Sequence, residues 1–259
     1  MPFTFAHPAA VLPLRRFKLL HTVPLIIGSV TPDLPYYIPG RYNRLLTDTH
    51  TVLGSLWPDI PIGLVVLVLG FLLRRPLTAL MTPRARALCL HSLEGFRHQP
   101  LHWLLAIVAI FVGIWTHLAW DACTHDNGWV VRRVAALSAP VTLGDYTGTL
   151  CHVLQYVSSV AGLLIMAIWY FRLPTPEADP SGAAASEPVF GRVAILLLLV
   201  TAAAGIGSYI ALHAASQSNY HVIYLLLTRT IAWFAMLYLA TSLIVTFSRR
   251  KPEPLPYTR

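Results

Sequence analysis

THLAWDACTH, residues 116–125, closes the uncharged run LLAIVAIFVGIW (104–115). The run predicts a helix through a bilayer, because a spanning helix needs ~20 mostly apolar residues. Yet its last turns carry His117, Asp121 and His125. An Asp at mid-membrane is disfavoured by ~2.5–3.5 kcal/mol on insertion scales, so a compensating partner is expected. On a helix, positions four apart advance about 40° around the axis, and the three side chains share a face if the helix continues that far. Imidazole nitrogens and carboxylate oxygens in this pattern suit zinc, which takes both ligand types at ~2.0–2.2 Å.

The rest of the chain fits a membrane setting. Of 259 residues, 56% are hydrophobic and only 12% charged, with mean hydropathy +0.61. A soluble domain carries about 25% charged residues, so a large soluble core is the poorer reading. The pI of about 9.7 raises nucleic acid as an alternative partner. However, Lys and Arg sit in short connections between apolar runs, where basic residues set membrane orientation; no nucleic acid is expected. The opening MPFTFAHPAAVLPLRRFK carries its basic residues after the apolar stretch, unlike a secretory signal. Cys89, Cys123 and Cys151 form no CxxC. Cys123 and Cys151 flank one loop, and unpaired thiols are expected there ahead of a disulfide.

Runs at about 101–121, 150–171, 190–212 and 222–247 predict four spans, and 52–73 a weaker fifth with the uninterrupted core IPIGLVVLVLGFLL (60–73). Pro58 and Pro61 fall in its first turns, where the lost amide hydrogens lack helical acceptors anyway. The expected fold is all-α: a polytopic membrane helical bundle of about five transmembrane helices, with short N-terminal re-entrant or interfacial helices such as 23–30. Thr82 and Pro83 open a short surface helix over 82–96. Residues 1–172 form a metal-site membrane domain with three spans. Residues 173–188 are a Pro/Ala/Ser-rich linker, and 189–259 a two-helix hairpin with a basic tail. On five spans, Lys and Arg divide eleven to seven between the two sides, with Arg229 inside a span. The positive-inside rule then places the N-terminus and the loop after His125 outside.

On that topology His7, Asp33, His50, His117, Asp121, His125 and His152 all fall on one face of the bilayer. Seven donors exceed the needs of one tetrahedral ion, so two or three divalent ions are expected, zinc first. A lone histidine near a helix end is more often an interfacial or hydrogen-bonding residue, and His21, His91, His98 and His102 fit that description. His213 and His221 bracket a polar loop with no donor at a matching spacing. Asp48 reads as a cap or an outer partner of His50, and Asp126 and Asp145 as loop solvation. Arg132 and Arg133 stand just behind the cluster and are candidates to pair with a substrate phosphate; their alternative is anchorage to lipid head groups.

The segments MPFTFAHPAAVLPLRR, GSVTPDLPYY, DTHTVLGSLWPDIP and WTHLAWDACTH closely resemble an uncharacterised family of bacterial integral membrane proteins that begin MPFTxxHPA. The resemblance covers roughly residues 1–172. That family looks like a distant relative of membrane-bound metal-dependent hydrolases. More remotely, its ligand order is similar to that of zinc-dependent phospholipase C and the related single-strand nucleases, all-helical enzymes that hydrolyse phosphate esters with three zinc ions. The resemblance implies one ion among Asp33, His50, His117 and Asp121, with Asp121 bridging to a second that also takes His7. It implies a third at His125 and His152. Here the pattern departs, because Tyr156 stands where a Glu is expected four residues after His152, so two ions are the firmer expectation.

Two functional classes follow. The first is a metal-dependent hydrolase in the bacterial inner membrane, its site on the extracytoplasmic face. It would act on a phosphoester or lipid-derived ester at the lipid–water boundary, and Asp33, where not fully used as a ligand, would be the base that orients water. The second is a non-catalytic membrane protein: a structural metal site, a scaffold or a small-solute transporter. A transporter buries polar groups at mid-membrane on several helices, and the spans other than 101–121 offer few, mainly Gln155, Ser158, Ser159, Ser208 and Thr228. Nothing in the sequence speaks to oligomeric state.

Overall fold

The computed structural model describes residues 4–17, 19–38, 47–94, 100–176, 189–214 and 219–248. Most of the expected linker (177–188), the basic tail (249–259) and His98 lie outside the described residues. Among the described residues the chain is helical apart from one small hairpin. Its α-helices are α1 (Pro8–Val11), α2 (Thr22–Val30), α3 (Asp59–Leu72), α4 (Arg74–Thr78), α5 (Pro83–Glu94), α6 (Pro100–Thr124), α7 (Leu150–Arg172), α8 (Val189–His213) and α9 (Asn219–Ser248). Four stretches are long and apolar enough to cross a membrane: Leu101–Thr124, Leu150–Arg172, Val189–His213 and His221–Ser248. The expected fifth span is shorter than its run of apolar sequence. Residues 51–58 are turns, helix starts only at Asp59, and the 14 residues to Leu72 cover about 21 Å, against a hydrocarbon core of ~30 Å.

The chain divides into two compact units, Met1–Leu69 with Ser92–Pro174, and Gly70–His91 with Thr175–Arg259. Residues 70–91 fall with the C-terminal hairpin in this division.

In the first unit the N-terminal segment is a broken hairpin. Thr4–Ala6, α1 and the 3-10 turn Leu12–Arg16 run along α7. Ala6 lies against Gly162, and the Arg15 guanidinium sits 5.9 Å from the Trp169 ring, one turn from the end of α7. The chain then turns, with His21 packing edge-on against His102 in the first turn of α6 at 4.8 Å. It returns through α2 beside α6. Glycines permit this return. A Cβ on Gly28 would meet the Ile110 carbonyl oxygen at 2.1 Å, and one on Gly113 the Leu25 carbonyl oxygen at 2.3 Å. Small residues at such crossings let helix backbones touch where no hydrophobic drive holds apolar helices together in lipid. Helix α3 runs back along the other side of α6, with Gly63 against Ile110, and Leu67 in one buried cluster with Ala106, Ile110 and Ile114. The hairpin Pro140–Leu143 (β1) and Tyr146–Thr149 (β2) turns through Gly144, at φ +60°, and leads directly into α7.

In the second unit α8 packs on α9 through Leu199, Ala203, Gly207 and Ala211, spaced four apart on one face. Gly207 fits against Thr230 and the Leu226 carbonyl. Tyr238 Oη donates to the Leu77 carbonyl at 2.8 Å, tying α9 to α4. Thr82 Oγ1 accepts from the Ala85 amide and caps α5.

Candidate metal centre

The fold brings six of the seven singled-out donors together. His7 enters on the descending arm of the hairpin, and Asp33 on the 3-10 turn Thr31–Tyr37 that ends its return. His50 closes the turn Thr47–His50 before α3. His117 and Asp121 lie one turn apart on α6, and His125 follows its end. His7, Asp33 and His117 are almost fully buried.

Two donor groups emerge, joined by one carboxylate. In the first, His50 Nε2 lies 3.4 Å from Asp33 Oδ1, 3.5 Å from Asp121 Oδ2 and 3.3 Å from His117 Nε2. His117 Nε2 lies 3.6 Å from Asp33 Oδ1 and 3.4 Å from Asp121 Oδ2. These are five of the six distances among the four donor atoms. Every one is longer than an ordinary N–H···O bond of ~2.7–3.2 Å. A tetrahedral ion with bonds of ~2.0–2.1 Å requires edges of roughly 3.3–3.4 Å, which the spacing matches. The second group uses the other oxygen of the bridging residue: Asp121 Oδ1 lies 3.6 Å from His7 Nε2 and 3.5 Å from His125 Nδ1. That oxygen is buried without a hydrogen-bond partner, a costly state for a carboxylate unless something positive faces it. The triads His7–Asp33–His117 and His50–His117–Asp121 each have ligand atoms within 4.8 Å of one another and could hold a metal ion.

Outer contacts fix the donors. His117 Nδ1 is 2.8 Å from the Ser29 carbonyl; a carbonyl only accepts, so Nδ1 carries a proton and Nε2 is the nitrogen turned to the cluster. The Gly28–Gly113 contact brings that carbonyl close enough. Thr4 Oγ1 donates to Asp33 Oδ2 at 2.6 Å and accepts from Tyr37 Oη at 2.9 Å. His125 Nε2 meets Gln155 Nε2 of α7 at 2.9 Å. As placed, the amide donates to Nε2. Turned over, it accepts from Nε2–H and frees Nδ1 toward Asp121. Trp120 Nε1 donates to Ser158 on α7 at 3.1 Å, and its ring walls His7 edge-on. The His7 ring stacks on His117 at 3.8 Å.

Electrostatics set the resting protonation. Burial works against an imidazolium at His50, but the carboxylates of Asp121 and Asp33 beside it outweigh it and push the pKa up to about 9. At His125 burial prevails over Asp121 and the pKa falls. One further acid belongs to this neighbourhood. Asp59, at the start of α3, is fully buried, neither oxygen has a hydrogen-bond partner, and it lies within electrostatic reach of His50 and His117.

His152 is elsewhere. Standing in the first turn of α7 just after the β-hairpin, it is directed to Asp126, with Nε2 3.0 Å from Oδ2. Asp126 is more than loop solvation, since it also accepts from Thr149 and the Cys151 thiol. All three cysteines are free. Gln155, three residues beyond His152, is the α7 side chain that reaches the cluster. Arg133 turns onto its own loop, donating to the Trp129 carbonyl at 3.1 Å and stacking 4.0 Å from the Trp129 ring. Arg132 is exposed on that loop. Asp33 has Oδ2 held by Thr4 and Oδ1 turned to the two imidazoles. Sequence reasoning passed over Thr4, Tyr37, the Ser29 carbonyl and Asp59. Only Asp59 left a signal, as an acid opening an apolar run.

Comparison with known families places the chain. A family described as a domain of unknown function, DUF4184, matches residues 1–247. The chain belongs to the DUF4184 family. No curated protein and no solved structure matches it. The match covers both compact units, so the DUF4184 domain includes the α8–α9 hairpin as well as the donor cluster.

Proposed function

We propose that the protein is a membrane-bound metal-dependent hydrolase acting on a phosphoester or another lipid-derived ester. Two divalent ions, zinc first, would be held by Asp33, His50, His117 and Asp121 on one side and by His7, Asp121 and His125 on the other. The supporting observation is the 3.3–3.6 Å spacing of His50 and His117 from each other and from Asp33 and Asp121, with Asp121 turning its unpartnered second oxygen to two more histidines. One divalent ion would also offset the formal charge of Asp33 and Asp121, which answers the cost of an acid near the membrane.

Ions bound there would supply Lewis acidity toward an ester or phosphoryl oxygen and make a water more acidic. The chain's own part is to hold the donors. Ser29 fixes the His117 tautomer, Thr4 orients Asp33, and Gln155 steadies His125. Access is one-sided: the side chains of His50 and His125 are each 26% exposed, while that of His117 is sealed. Sealed donors favour a second reading, a structural ion in a non-catalytic membrane protein.

The reading that the site faces outward in a bacterial inner membrane gains support from the N-terminal hairpin. Arg15 and Arg16 descend to the end of the unit away from the donors, which takes these two cations off the side assigned as outside.

The test is to assay purified protein against chromogenic phosphodiesters and ester lipids, with metal analysis in parallel. Wild type is expected to carry about two ions and to hydrolyse a substrate until chelated. His117→Ala with Asp121→Ala is expected to carry none and be inactive. Bound metal without any hydrolysis supports the structural reading, and no metal after chelator-free purification refutes both.

A further inference from the structure

At the other end of the first unit lies a cavity of about 350 Å³ lined by Arg15, Ile165, Ile168, Trp169 and Arg172. We propose that it seats the phosphate of an anionic phospholipid, with an acyl chain along Ile165 and Ile168. The inference is independent of the metal reading.

Three observations carry it. First, two guanidiniums from separate segments converge on the cavity, and among the described residues neither has a carboxylate partner. Guanidinium is the side chain best shaped to grip phosphate through paired N–H donors. Second, the Trp169 indole N–H is buried without an acceptor. An orphaned buried donor is costly, and a phosphate oxygen in the cavity would satisfy it. Third, the place is right for a lipid. Arg172 ends a span and Trp169 lies one turn inside it, the depth at which Trp and Arg meet head groups. Ile165 and Ile168 are about half exposed on the outer face of that span, where an acyl chain lies. Basic pockets between membrane segments bind anionic head groups by this combination of charge and adjoining apolar surface. Arg15 belongs to the arm that begins with Thr4 and His7, so a lipid bridging Arg15 to Arg172 would pin that arm to α7.

The test uses full-length protein in neutral detergent, titrated with a short-chain phosphatidylglycerol and followed by native mass spectrometry. Phosphatidylcholine of equal chain length and inorganic phosphate are the comparison probes. One phosphatidylglycerol is expected to stay bound, with Arg15→Ala plus Arg172→Ala weakening it about tenfold or more. Trp169→Phe, which keeps the ring and removes the N–H, should weaken it about threefold to tenfold. Both arginines are exposed, and an unchanged melting temperature identifies folded variants. Equal binding of phosphatidylcholine, undiminished binding by the arginine variant, or displacement of the lipid by millimolar inorganic phosphate would each overturn the proposal.

Discussion

Helices α6 and α8 are both 25 residues long and both able to cross a bilayer. In the apolar window of α6 a third of the residues are buried, against 11% in that of α8. Composition explains the gap. The last turns of α6 carry His117 and Asp121, which lipid cannot solvate, so protein must surround them. In α8 the ionisable groups, Arg192 and His213, stand in the first and last turns, and the middle needs only a strip of small residues for one neighbour, leaving the rest to lipid. In this chain the wrapping is the N-terminal hairpin, admitted by two glycines.

The sharpest way to break the comparison is to push the wrapping off. In Gly113→Val or Gly28→Val the new Cβ collides with a backbone carbonyl, which cannot swing aside as a side chain can. Overpacking usually costs about 1–3 kcal/mol, and here the upper end or beyond is expected. The melting temperature should fall steeply and bound metal should be lost with it, because Ser29, Asp33 and His7 ride on the displaced segment. Gly205→Ala on α8, with nothing within 4 Å of its Cβ, is the control and should leave both unchanged. Equal tolerance at the three sites would show that the hairpin is not held by close contact.

The four long helices were legible because uninterrupted apolar runs admit one reading in a membrane. The shortened α3 was not, since hydropathy alone does not tell a helix from the turns that precede Asp59. That the donors near 7, 33, 50 and 117–125 come to one end followed from the parity of crossings. The run of Thr4–Arg16 toward the opposite end did not, because proline-broken segments below spanning length leave no hydropathy signal, and Arg15 was expected with the donors for that reason. His152 and Gln155 differ by three residues on one helix. Which of them meets His125 depends on how the β-hairpin sets the start of α7, and no spacing rule within the helix reveals that.

A second test changes the charge state rather than the packing. In the metal-free cluster His50 keeps its proton up to about pH 9, because Asp121 and Asp33 outweigh burial. The contribution of that ion pair to stability is fully present below the ordinary histidine pKa of ~6.5 and is lost as pH rises through about 9. Metal must displace the same proton. Apparent metal affinity should therefore rise about tenfold per pH unit between 7 and 9, then level. Calorimetry in buffers of different ionisation heat should find one proton released per first ion at pH 7.5 and almost none near pH 10. A flat profile across that range would mean that His50 is not displaced by the ion.

The smallest expected effect comes from the one α7 side chain that touches the cluster. Gln155→Ala removes the hydrogen bond that orients His125 but leaves every donor in place. Loss of an outer partner of this kind typically weakens metal affinity about tenfold to a hundredfold. The loss should fall on one ion only, since His125 faces the Asp121 oxygen turned away from Asp33, His50 and His117. Competition with a graded series of chelators should show the second ion released earlier than in wild type and the first unchanged. Gln155→Glu should retain the second ion, because its carboxylate accepts from Nε2–H and leaves Nδ1 free for metal. Release of both ions together in Gln155→Ala would mean that the two donor groups do not act as separate sites joined by Asp121.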